Sequence, residues 1–413
     1  MIGLGYIGLP TAAMFAARKT KVIGVDINEH AVNTINQGRI HIVEPELDMI
    51  VRSAVSEGYL RATTRPEAAD AYLIAVPTPF KGEHEPDVSY VRAAAESIAA
   101  VLKKGDLVVL ESTSPVGTTE QLVEWLAAAR PDLRFPLPGQ VEVDVNVAYC
   151  PERVLPGHVV RELVANDRII GGLTPRCSAR AVDLYRTFVE GELLVTNART
   201  AEMCKLTENS FRDVNIAFAN ELSIICDKLG IDVWELIRLA NHHPRVKILQ
   251  PGAGVGGHCI AVDPWFIVDK TPAEARLIRT AREVNDGKPN WVMDKVREAV
   301  KRVVAARPGA VEGDVCVTVL GLAFKPNIDD LRESPALHIA EQLLRETQSR
   351  LSFVEPNVHE LPRTLQAGKL VALDDALKTS DVVVVLVNHR EFSDLQSKLG
   401  ESHVVVDAVG ALN

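Results

Sequence analysis

The segment Gly3-Leu4-Gly5-Tyr6-Ile7-Gly8 opens a predicted helix, and Asp26 ends the strand that follows that helix. Glycines at these positions let the backbone approach a pyrophosphate at a helix N-terminus, and a carboxylate about 20 residues later accepts hydrogen bonds from ribose hydroxyls. The pattern therefore predicts a dinucleotide-binding unit. Because Asp26 would repel a 2′-phosphate, it favours NAD over NADP as the cofactor.

Alternating strands and helices surround this segment. Apolar, β-branched runs predict strands at 21–25, 71–76, 107–111, 147–150 and 168–171, with helices between them at 91–102 and 119–129. Such alternation predicts a doubly wound parallel sheet. After Pro308-Gly309, runs at 315–320, 351–354, 381–387 and 404–407 predict a second unit of the same type, which lacks its own GxGxxG.

A long helix is predicted between the two units, because residues 198–229 contain neither Pro nor Gly. At 1.5 Å per residue it would be about 45 Å long, more than one domain needs, so it either spans domains or builds a dimer core. The predicted fold class is α/β, with two Rossmann-like doubly wound units joined by a helical middle domain. We expect a NAD-binding domain at 1–196, a helical central domain at 197–300 and a second Rossmann-like domain at 301–413.

The start of the chain departs from the Rossmann pattern. The first strand of such a unit lies in the middle of the sheet, yet only Met1 and Ile2 precede Gly3. Neighbouring strands would then lose ladder partners, which is costly for buried backbone groups. We therefore expect a truncated first strand, and a non-catalytic nucleotide-binding fragment stays open as an alternative function.

Composition excludes several classes of protein. The chain has 413 residues, of which 47% are hydrophobic and 24% charged, and no segment reaches the ~20 apolar residues of a membrane span. Six scattered cysteines without CxxC or Cys/His spacing argue against a disulfide framework and against a metal site, and favour the cytosol. A net charge of −10 without a basic block argues against nucleic acid and anionic membranes as partners.

Cys259 lies in the run Gly256-Gly257-His258-Cys259, with Asp263-Pro264-Trp265 shortly after it. Four glycines at 252, 254, 256 and 257 would waste backbone entropy in a core strand, so we interpret this run as a loop shaped around a ligand. A thiol in such a loop can be held as a thiolate, which makes Cys259 a candidate nucleophile. The alternative is an inert core cysteine.

A series of motifs recurs in order along the chain: Gly3-Leu-Gly-Tyr-Ile-Gly-Leu-Pro10, Pro77-Thr78-Pro79, Glu111-Ser-Thr-Ser-Pro-Val-Gly-Thr118, Cys150-Pro-Glu-Arg153, Lys205-Leu-Thr-Glu-Asn209, the Cys259 loop, and Gly321-Leu-Ala-Phe-Lys-Pro-Asn327 with Arg332-Glu-Ser-Pro335. Together they resemble the UDP-glucose/GDP-mannose dehydrogenase family from end to end. The resemblance implies a four-electron oxidation of a sugar C6 alcohol to a carboxylate with two NAD⁺ reduced, and a dimer through the central helix.

The resemblance also implies the catalytic roles. Cys259 adds to the C6 aldehyde, and the resulting thiohemiacetal is oxidised to a thioester that water hydrolyses. Lys205 and Asn209, four residues apart and so on one helix face, would donate to the developing oxyanion, although such a pair is also common on a solvated face. Thr113 and Asp263 would position water and serve acid/base steps, and Glu152 would lie near the thioester.

Binding residues follow from the same resemblance. Those expected at the cofactor are Gly3, Gly5, Tyr6, Ile7, Gly8, Asp26, Pro77, Thr78, Thr113 and Arg332. Gly256, His258 and Lys325 are expected at the UDP-sugar, and Arg245 is expected to reach the site of the neighbouring subunit in a homodimer. Lys325, Arg245 and Arg332 could instead be ordinary surface cations.

Two departures indicate the sugar. Family members that oxidise UDP-glucose carry a second glutamate where this chain has Pro156, and a small residue where it has His258. The His-Cys pair resembles the branch that acts on N-acetylated UDP-hexosamines, with His258 either lowering the pKa of the Cys259 thiol or contacting the acetamido group; a loop histidine bonded to backbone is the alternative. The expected reaction converts UDP-N-acetyl-D-mannosamine to its uronate for bacterial surface polysaccharide, with UDP-N-acetyl-D-glucosamine as the alternative substrate.

Overall fold

The computed structural model describes residues 1–42, 44–82, 84–140, 142–155, 157–257 and 259–412. They form two compact units, the first made of residues 1–208 and 269–271 and the second of the remainder. Within these described ranges, no helix combines the length and the hydrophobicity that crossing a membrane requires.

In its described residues, the first unit has nine strands and seven helices before a long helix. Its strands are β1 (Val22–Val25), β2 (Leu60–Thr63), β3 (Ala71–Ile74), β4 (Phe80–Lys81), β5 (Glu85–Pro86), β6 (Leu107–Leu110), β7 (Asn146–Tyr149), β8 (Arg168–Gly172) and β9 (Leu193–Asn197). Its helices are α1 (Gly8–Ala17), α2 (Glu29–Asn36), α3 (Leu47–Ser56), α4 (Ser89–Ala99), α5 (Thr118–Ala129), α6 (Val159–Ala165) and α7 (Pro175–Tyr185).

The beginning of the chain lies at the centre of the first sheet. Ile2 pairs in parallel with Val25 of β1 and with Ile74 of β3, so it joins the pair β2-β1 to the run β3-β6-β7-β8-β9. The Ile2 N–H donates to the carbonyl of Leu73 (2.7 Å), and the N–H of Ala75 donates to the carbonyl of Ile2 (2.8 Å). Met1 and Ile2 thus occupy the position of a first Rossmann strand. The expected truncation of that strand stays a prediction.

Helices cover both faces of this sheet, as a doubly wound fold requires. One core contains Leu9 of α1 and Ile35 of α2, and the other contains Val91 of α4 and Leu122 of α5. One pairing differs from the all-parallel expectation, because β8 runs antiparallel to β7 while β9 is parallel to β8.

Helix α8 (Ala198–Leu229) has the bounds that the sequence predicts and runs from the first unit into the second. It is followed by α9 (Val233–Ala240), α10 (Asp263–Lys270) and α11 (Arg276–Ala306). Buried polar side chains join α8 to α11: Arg282 donates to Asp213 (2.6 Å), and Asn220 donates to Asn285 (2.9 Å). These bonds satisfy polar groups that would be costly to bury alone.

The second unit ends in a five-stranded parallel sheet of order β12-β11-β10-β13-β14. Its strands are β10 (Cys316–Leu320), β11 (Arg350–Val354), β12 (Lys369–Leu370), β13 (Val382–Val385) and β14 (Val404–Asp407), and its further helices are α12 (Pro335–Glu346), α13 (Leu373–Leu377) and α14 (Leu395–Lys398). The predicted α/β class, with two doubly wound units and a long helix between them, is confirmed. The three domain boundaries stay a prediction.

Candidate active site

The glycine-rich loop after Ile2 has the geometry of a dinucleotide turn. Gly3 has a φ of +89°, and a Cβ atom there would lie 2.4 Å from the carbonyl oxygen of Ala75. A Cβ on Gly8, the first residue of α1, would lie 1.9 Å from the carbonyl oxygen of Gly3. Gly5, in contrast, has no atom within 4 Å of the equivalent position among the described residues, so its backbone is open to a ligand.

Asp26 follows β1 and faces this loop. Its Oδ2 accepts the N–H of Leu4 (2.9 Å), and its Oδ1 accepts the N–H of Asn28 (2.9 Å). A carboxylate oxygen has more than one lone pair, so Asp26 can anchor the loop and still accept ribose hydroxyls. Tyr6 in the same loop is exposed, and Ile7 is half-buried.

The loops after β3 and β6 are joined beside the glycine turn. Thr78 Oγ1 donates to the carbonyl of Thr113 (2.6 Å), while Ser112 Oγ donates to the carbonyl of Val76 (2.7 Å). Pro77 lies between Val76 and Thr78. Both loops leave the carboxyl ends of adjacent parallel strands, which is where open α/β sheets bind their ligands. The structure thus brings Pro77, Thr78 and Thr113 together.

Glu152 and Lys205 are two predicted catalytic residues of the first unit that carry titratable groups. Glu152 follows β7, accepts the N–H of Val154 and is half-buried, whereas Lys205 on α8 is buried. Burial raises the pKa of Glu152 to about 7, and the nearby positive charge of Lys205 works in the opposite direction. A carboxyl that titrates near neutrality can exchange protons during turnover.

A buried cluster around Arg168 was not predicted from the sequence. The Arg168 guanidinium lies 4.9 Å from the ring centre of Tyr185, whose hydroxyl donates to Glu111 (2.5 Å). Arg168 Nη1 is 4.0 Å from the Cys150 sulfur, and burial raises the pKa of this thiol to about 11. Burial of this kind disfavours the thiolate, so Cys150 is a much poorer candidate nucleophile than the exposed Cys259.

Cys259 is exposed and begins the turn at 259–262 that leads into α10. Its carbonyl oxygen accepts the N–H groups of Val262 (3.1 Å) and Asp263 (2.8 Å), which closes a turn at the start of the helix. Asp263 is buried, and Asn209 Nδ2 donates to its Oδ2 (2.5 Å). Within the second unit the structure thus places Asn209 and Asp263 in direct contact, one turn after the cysteine.

The glycines before Cys259 are needed for packing against residues 321–335. A Cβ atom on Gly256 would lie 2.3 Å from the carbonyl oxygen of Glu333, and one on Gly257 would lie 3.1 Å from the Phe324 ring. At the beginning of the loop, the N–H of Gly252 donates to Asn220 Oδ1 on α8 (2.9 Å). The loop is therefore shaped by its protein neighbours as well as by any ligand.

The remaining predicted residues lie in the second unit. Lys325 is half-buried and forms no ion pair with the described residues, whereas Arg332 is held by Asp330 in a two-pronged pair (2.8 and 2.6 Å). Arg245 lies in an exposed loop. His258 and Pro156 fall outside the described residues. In the described part of the chain, no cluster of His, Cys, Asp or Glu side chains has the arrangement of a metal site.

The predicted catalytic residues are divided between the two units. Thr113, Glu152 and Lys205 belong to the first, and Asn209, Cys259 and Asp263 belong to the second. Lys205 and Asn209 lie one turn apart on α8. The roles assigned to these six residues stay predictions.

Comparisons with known proteins cover nearly the whole chain. Models of the UDP-glucose/GDP-mannose dehydrogenase family match residues 1–189 (NAD binding domain), 199–287 (central domain) and 318–413 (UDP binding domain). The UDP-N-acetyl-D-mannosamine dehydrogenase of Salmonella typhi is 65% identical over 411 residues, 99% of this chain and 98% of that protein. An NDP-N-acetyl-D-galactosaminuronic acid dehydrogenase of Ralstonia nicotianae is 62% identical over 410 residues, 99% of this chain and 95% of that protein.

Solved structures agree with this assignment. A UDP-D-ManNAc dehydrogenase from Pyrococcus horikoshii superposes with a TM-score of 0.89 at 38% identity, covering 100% of this chain and 95% of that one. The UDP-N-acetyl-mannosamine dehydrogenase from Staphylococcus aureus gives a TM-score of 0.84 at 41% identity, with 99% and 94% covered.

Proposed function

Because this chain belongs to the UDP-glucose/GDP-mannose dehydrogenase family, we propose that it oxidises UDP-N-acetyl-D-mannosamine at C6 to the uronate with two NAD⁺. The observation that carries the proposal is the exposed Cys259 in the turn before α10, with the buried Asp263 at the start of that helix bonded to Asn209. The choice of sugar rests on the name of the relative that is 65% identical.

The glycine loop at 3–8, Asp26, Pro77, Thr78 and Thr113 would hold NAD, which supplies the hydride acceptor for both oxidations. In the first oxidation the C6 hydroxyl loses its proton to a base, for which Asp263 is the proposed residue, and its hydride to NAD⁺. Lys205 and Asn209 donate hydrogen bonds to the C6 oxygen, which carries negative charge as that proton leaves and again when the thiolate adds to the aldehyde. The Cys259 thiolate then forms a C–S bond to the aldehyde carbon, which prevents release of the aldehyde. Loss of a second hydride leaves a thioester.

Hydrolysis of the thioester requires water and a proton acceptor. Glu152 fits this role because its pKa of about 7 leaves a large fraction ionised at neutral pH. Attack of water breaks the C–S bond, releases the sugar carboxylate and regenerates the Cys259 thiol. Asp263 and Thr113, which would position the attacking water, complete the proposed set of catalytic residues.

A homodimer through α8 is part of the proposal. Phe211, Phe218 and Ile225 recur at seven-residue spacing on this helix, and each is about half or more exposed (71%, 50% and 45%). Apolar side chains repeated along one stripe favour contact with a second helix. Arg245 would then reach the neighbouring subunit's site. Location in the cytosol and a role in surface polysaccharide synthesis complete the prediction.

The test is a panel of stereoisomeric substrates. UDP-N-acetyl-D-mannosamine, its C2 epimer UDP-N-acetyl-D-glucosamine and the diastereomer UDP-N-acetyl-D-galactosamine are each incubated with enzyme and NAD, and NADH and the sugar acid are measured. The galactosamine compound is included because the relative from Ralstonia nicotianae favours it as a second candidate. We expect the highest kcat/KM for UDP-N-acetyl-D-mannosamine. A preference for either of the other sugars would reassign the substrate, and no turnover with any of them would refute the proposal.

A further inference from the structure

A buried Glu–His pair lies at the carboxyl edge of the second sheet. Glu355 directly follows β11, and His389 follows β13, on either side of the loop that leaves β10. The two side chains are 3% and 0% exposed, and His389 Nε2 is 3.1 Å from Glu355 Oε2. Neither residue carries out any step of the proposed reaction, yet the pair lies where sheets of this kind bind ligands.

Hydrogen bonds determine which ring nitrogen of His389 carries its proton. The backbone N–H of Asn327 donates to His389 Nδ1 (2.9 Å), so Nδ1 must act as an acceptor. The proton therefore resides on Nε2 and is donated to the Glu355 carboxylate. Asn327 Oδ1 in turn accepts the N–H of Arg390 (2.9 Å), which ties this end of the loop to the residue after His389.

Glu355 binds the other end of the same loop. Its Oε2 accepts the backbone N–H groups of Leu322 (2.7 Å) and Ala323 (3.1 Å), and its Oε1 accepts that of Asn357 (3.0 Å). Burial alone would raise the pKa of Glu355, but the hydrogen bonds from His389 and from these backbone groups outweigh it and lower the pKa to about 2. The carboxylate is therefore ionised at neutral pH.

Segment 321–327 is fixed in this way at both ends. It carries one residue expected at the ligand and one that contacts the loop of the candidate nucleophile. Lys325 is the cation expected at the UDP-sugar, and Phe324 packs against Gly256 and Gly257, just before Cys259. Asn327 itself is held at a φ of +63°, a left-handed conformation that few residues adopt without support. The position of the segment thus depends on bonds from two side chains to its backbone.

We propose that Glu355 and His389 are positioning residues, which hold segment 321–327 by its backbone so that Lys325 is presented to the diphosphate of the UDP-sugar. This inference rests on the proposed function, because it uses the UDP binding domain of that enzyme. A loop that is ordered before the ligand arrives does not lose conformational entropy on binding, so the pair acts on affinity.

The test uses His389→Phe with His403→Phe as its matched control. His403 is likewise held by hydrogen bonds through both ring nitrogens: Nδ1 accepts the N–H of Gly400 (2.8 Å) and Nε2 lies 3.0 Å from the carbonyl of Leu377. It precedes β14, however, at the opposite edge of the same sheet. Calorimetry with UDP should give a Kd that is roughly 10- to 100-fold higher in His389→Phe, with unchanged NAD affinity and a larger effect on KM than on kcat. His403→Phe should bind UDP as the wild-type chain does.

A second pair of variants tests the backbone bond without disturbing the core. Asn327 is exposed; Asn327→Pro removes its N–H and cannot adopt positive φ, whereas Asn327→Gly keeps both. The proline variant should weaken UDP binding as His389→Phe does, and the glycine variant should weaken it far less. Unchanged UDP affinity in His389→Phe and Asn327→Pro would overturn the positioning role alone. Failure of the wild-type chain to bind UDP would instead overturn the proposed function.

Discussion

In each of the two Rossmann-like sheets, an acidic residue after a strand accepts a backbone N–H from the neighbouring glycine loop, but the surroundings of the two acids differ. In the first, Asp26 after β1 accepts the N–H of Leu4, and in the second, Glu355 after β11 accepts the N–H of Leu322. Gly3 and Gly321, which precede the two leucines, have nearly equal φ values of +89° and +86°. Each acid therefore anchors the loop that leaves the neighbouring strand.

The surroundings determine what else each acid can do. Asp26 is half-buried beside the open Gly5, and no described side chain caps the N-terminus of α1, so ribose and pyrophosphate can both approach. Glu355 is covered by His389, and the next helix, α12, begins only at Pro335 with Ser334 already bonded to its backbone. The comparison shows that one arrangement presents an acid to a ligand and the other uses it to fix a loop.

The largest effect is expected from Cys259→Ala, which should abolish formation of the sugar acid. Both anchoring acids remain in place, so NAD and UDP should still bind with nearly wild-type Kd values, and turnover and calorimetry would be measured on one preparation. Cys316→Ser, a half-buried cysteine in β10, serves as the control and should stay active. Residual sugar acid from the Cys259 variant at a rate near wild type would exclude covalent catalysis.

Glu355→Ala should destabilise the second unit by about 3–5 kcal/mol, because three backbone N–H groups and His389 lose a buried, charged acceptor. The lowered pKa of Glu355 means that its contribution is present above about pH 4.5 and is lost as pH falls towards 2. Urea unfolding of the wild-type and variant chains at pH 7 and at pH 3 measures the loss of stability and its dependence on pH.

Asp26→Ala is the matched variant and should lower the free energy of unfolding by about 1 kcal/mol or less. The Asp26 carboxylate has fewer partners than that of Glu355 and is nearer to solvent. Equal losses of stability from the two acids would remove the distinction between them. A Glu355→Ala penalty that did not shrink in acid would contradict the assigned ionisation.

Lys205→Ala should lower kcat by ~10²–10³ and leave the KM for the UDP-sugar nearly unchanged, because a donor to charge that develops in the transition state acts on the rate. Steady-state kinetics with Lys228→Ala, an exposed lysine on the same helix, provides the control. A raised KM with unchanged kcat would make Lys205 a ground-state binding residue.

Asp26→Ser is expected to act on cofactor binding alone. Loss of a charged acceptor for ribose hydroxyls should weaken NAD binding by roughly 10- to 100-fold. It should also narrow the enzyme's preference for NAD over NADP. Binding of UDP should not change, since the residues proposed to bind UDP belong to the other sheet. Equal turnover of NAD and NADP by the unmodified enzyme would refute the role of Asp26.

Much of the fold could be predicted because its signals are local. The bounds of α8 follow from a run without Pro or Gly, and the buried strands follow from β-branched runs. The reversed direction of β8 could not be predicted, since strand direction depends on long-range pairing. The extent of α11 was equally hidden, because Gly287 and Pro289 lie inside it and such residues usually interrupt helices.

Residues of the candidate site could be predicted where they lie in contiguous sequence motifs. They could not be predicted where their role depends on contacts with residues that are distant in sequence. The Asn209–Asp263 contact joins residues named from separate motifs, whereas the roles of Arg168 and His389 depend on neighbours that only folding brings near. One signal was present for Glu355. Val25-Asp26-Ile27-Asn28 and Val354-Glu355-Pro356-Asn357 share an acid and an asparagine at equal spacing, and each follows a loop that begins Gly-Leu.

The stoichiometry of NADH to sugar acid tests the central claim most directly. Purified enzyme is given limiting UDP-N-acetyl-D-mannosamine and excess NAD, and NADH, aldehyde and uronate are quantified at completion. Capture of the aldehyde by Cys259 predicts two NADH for each uronate and almost no free aldehyde. One NADH for each sugar, with the aldehyde as the final product, would contradict the account.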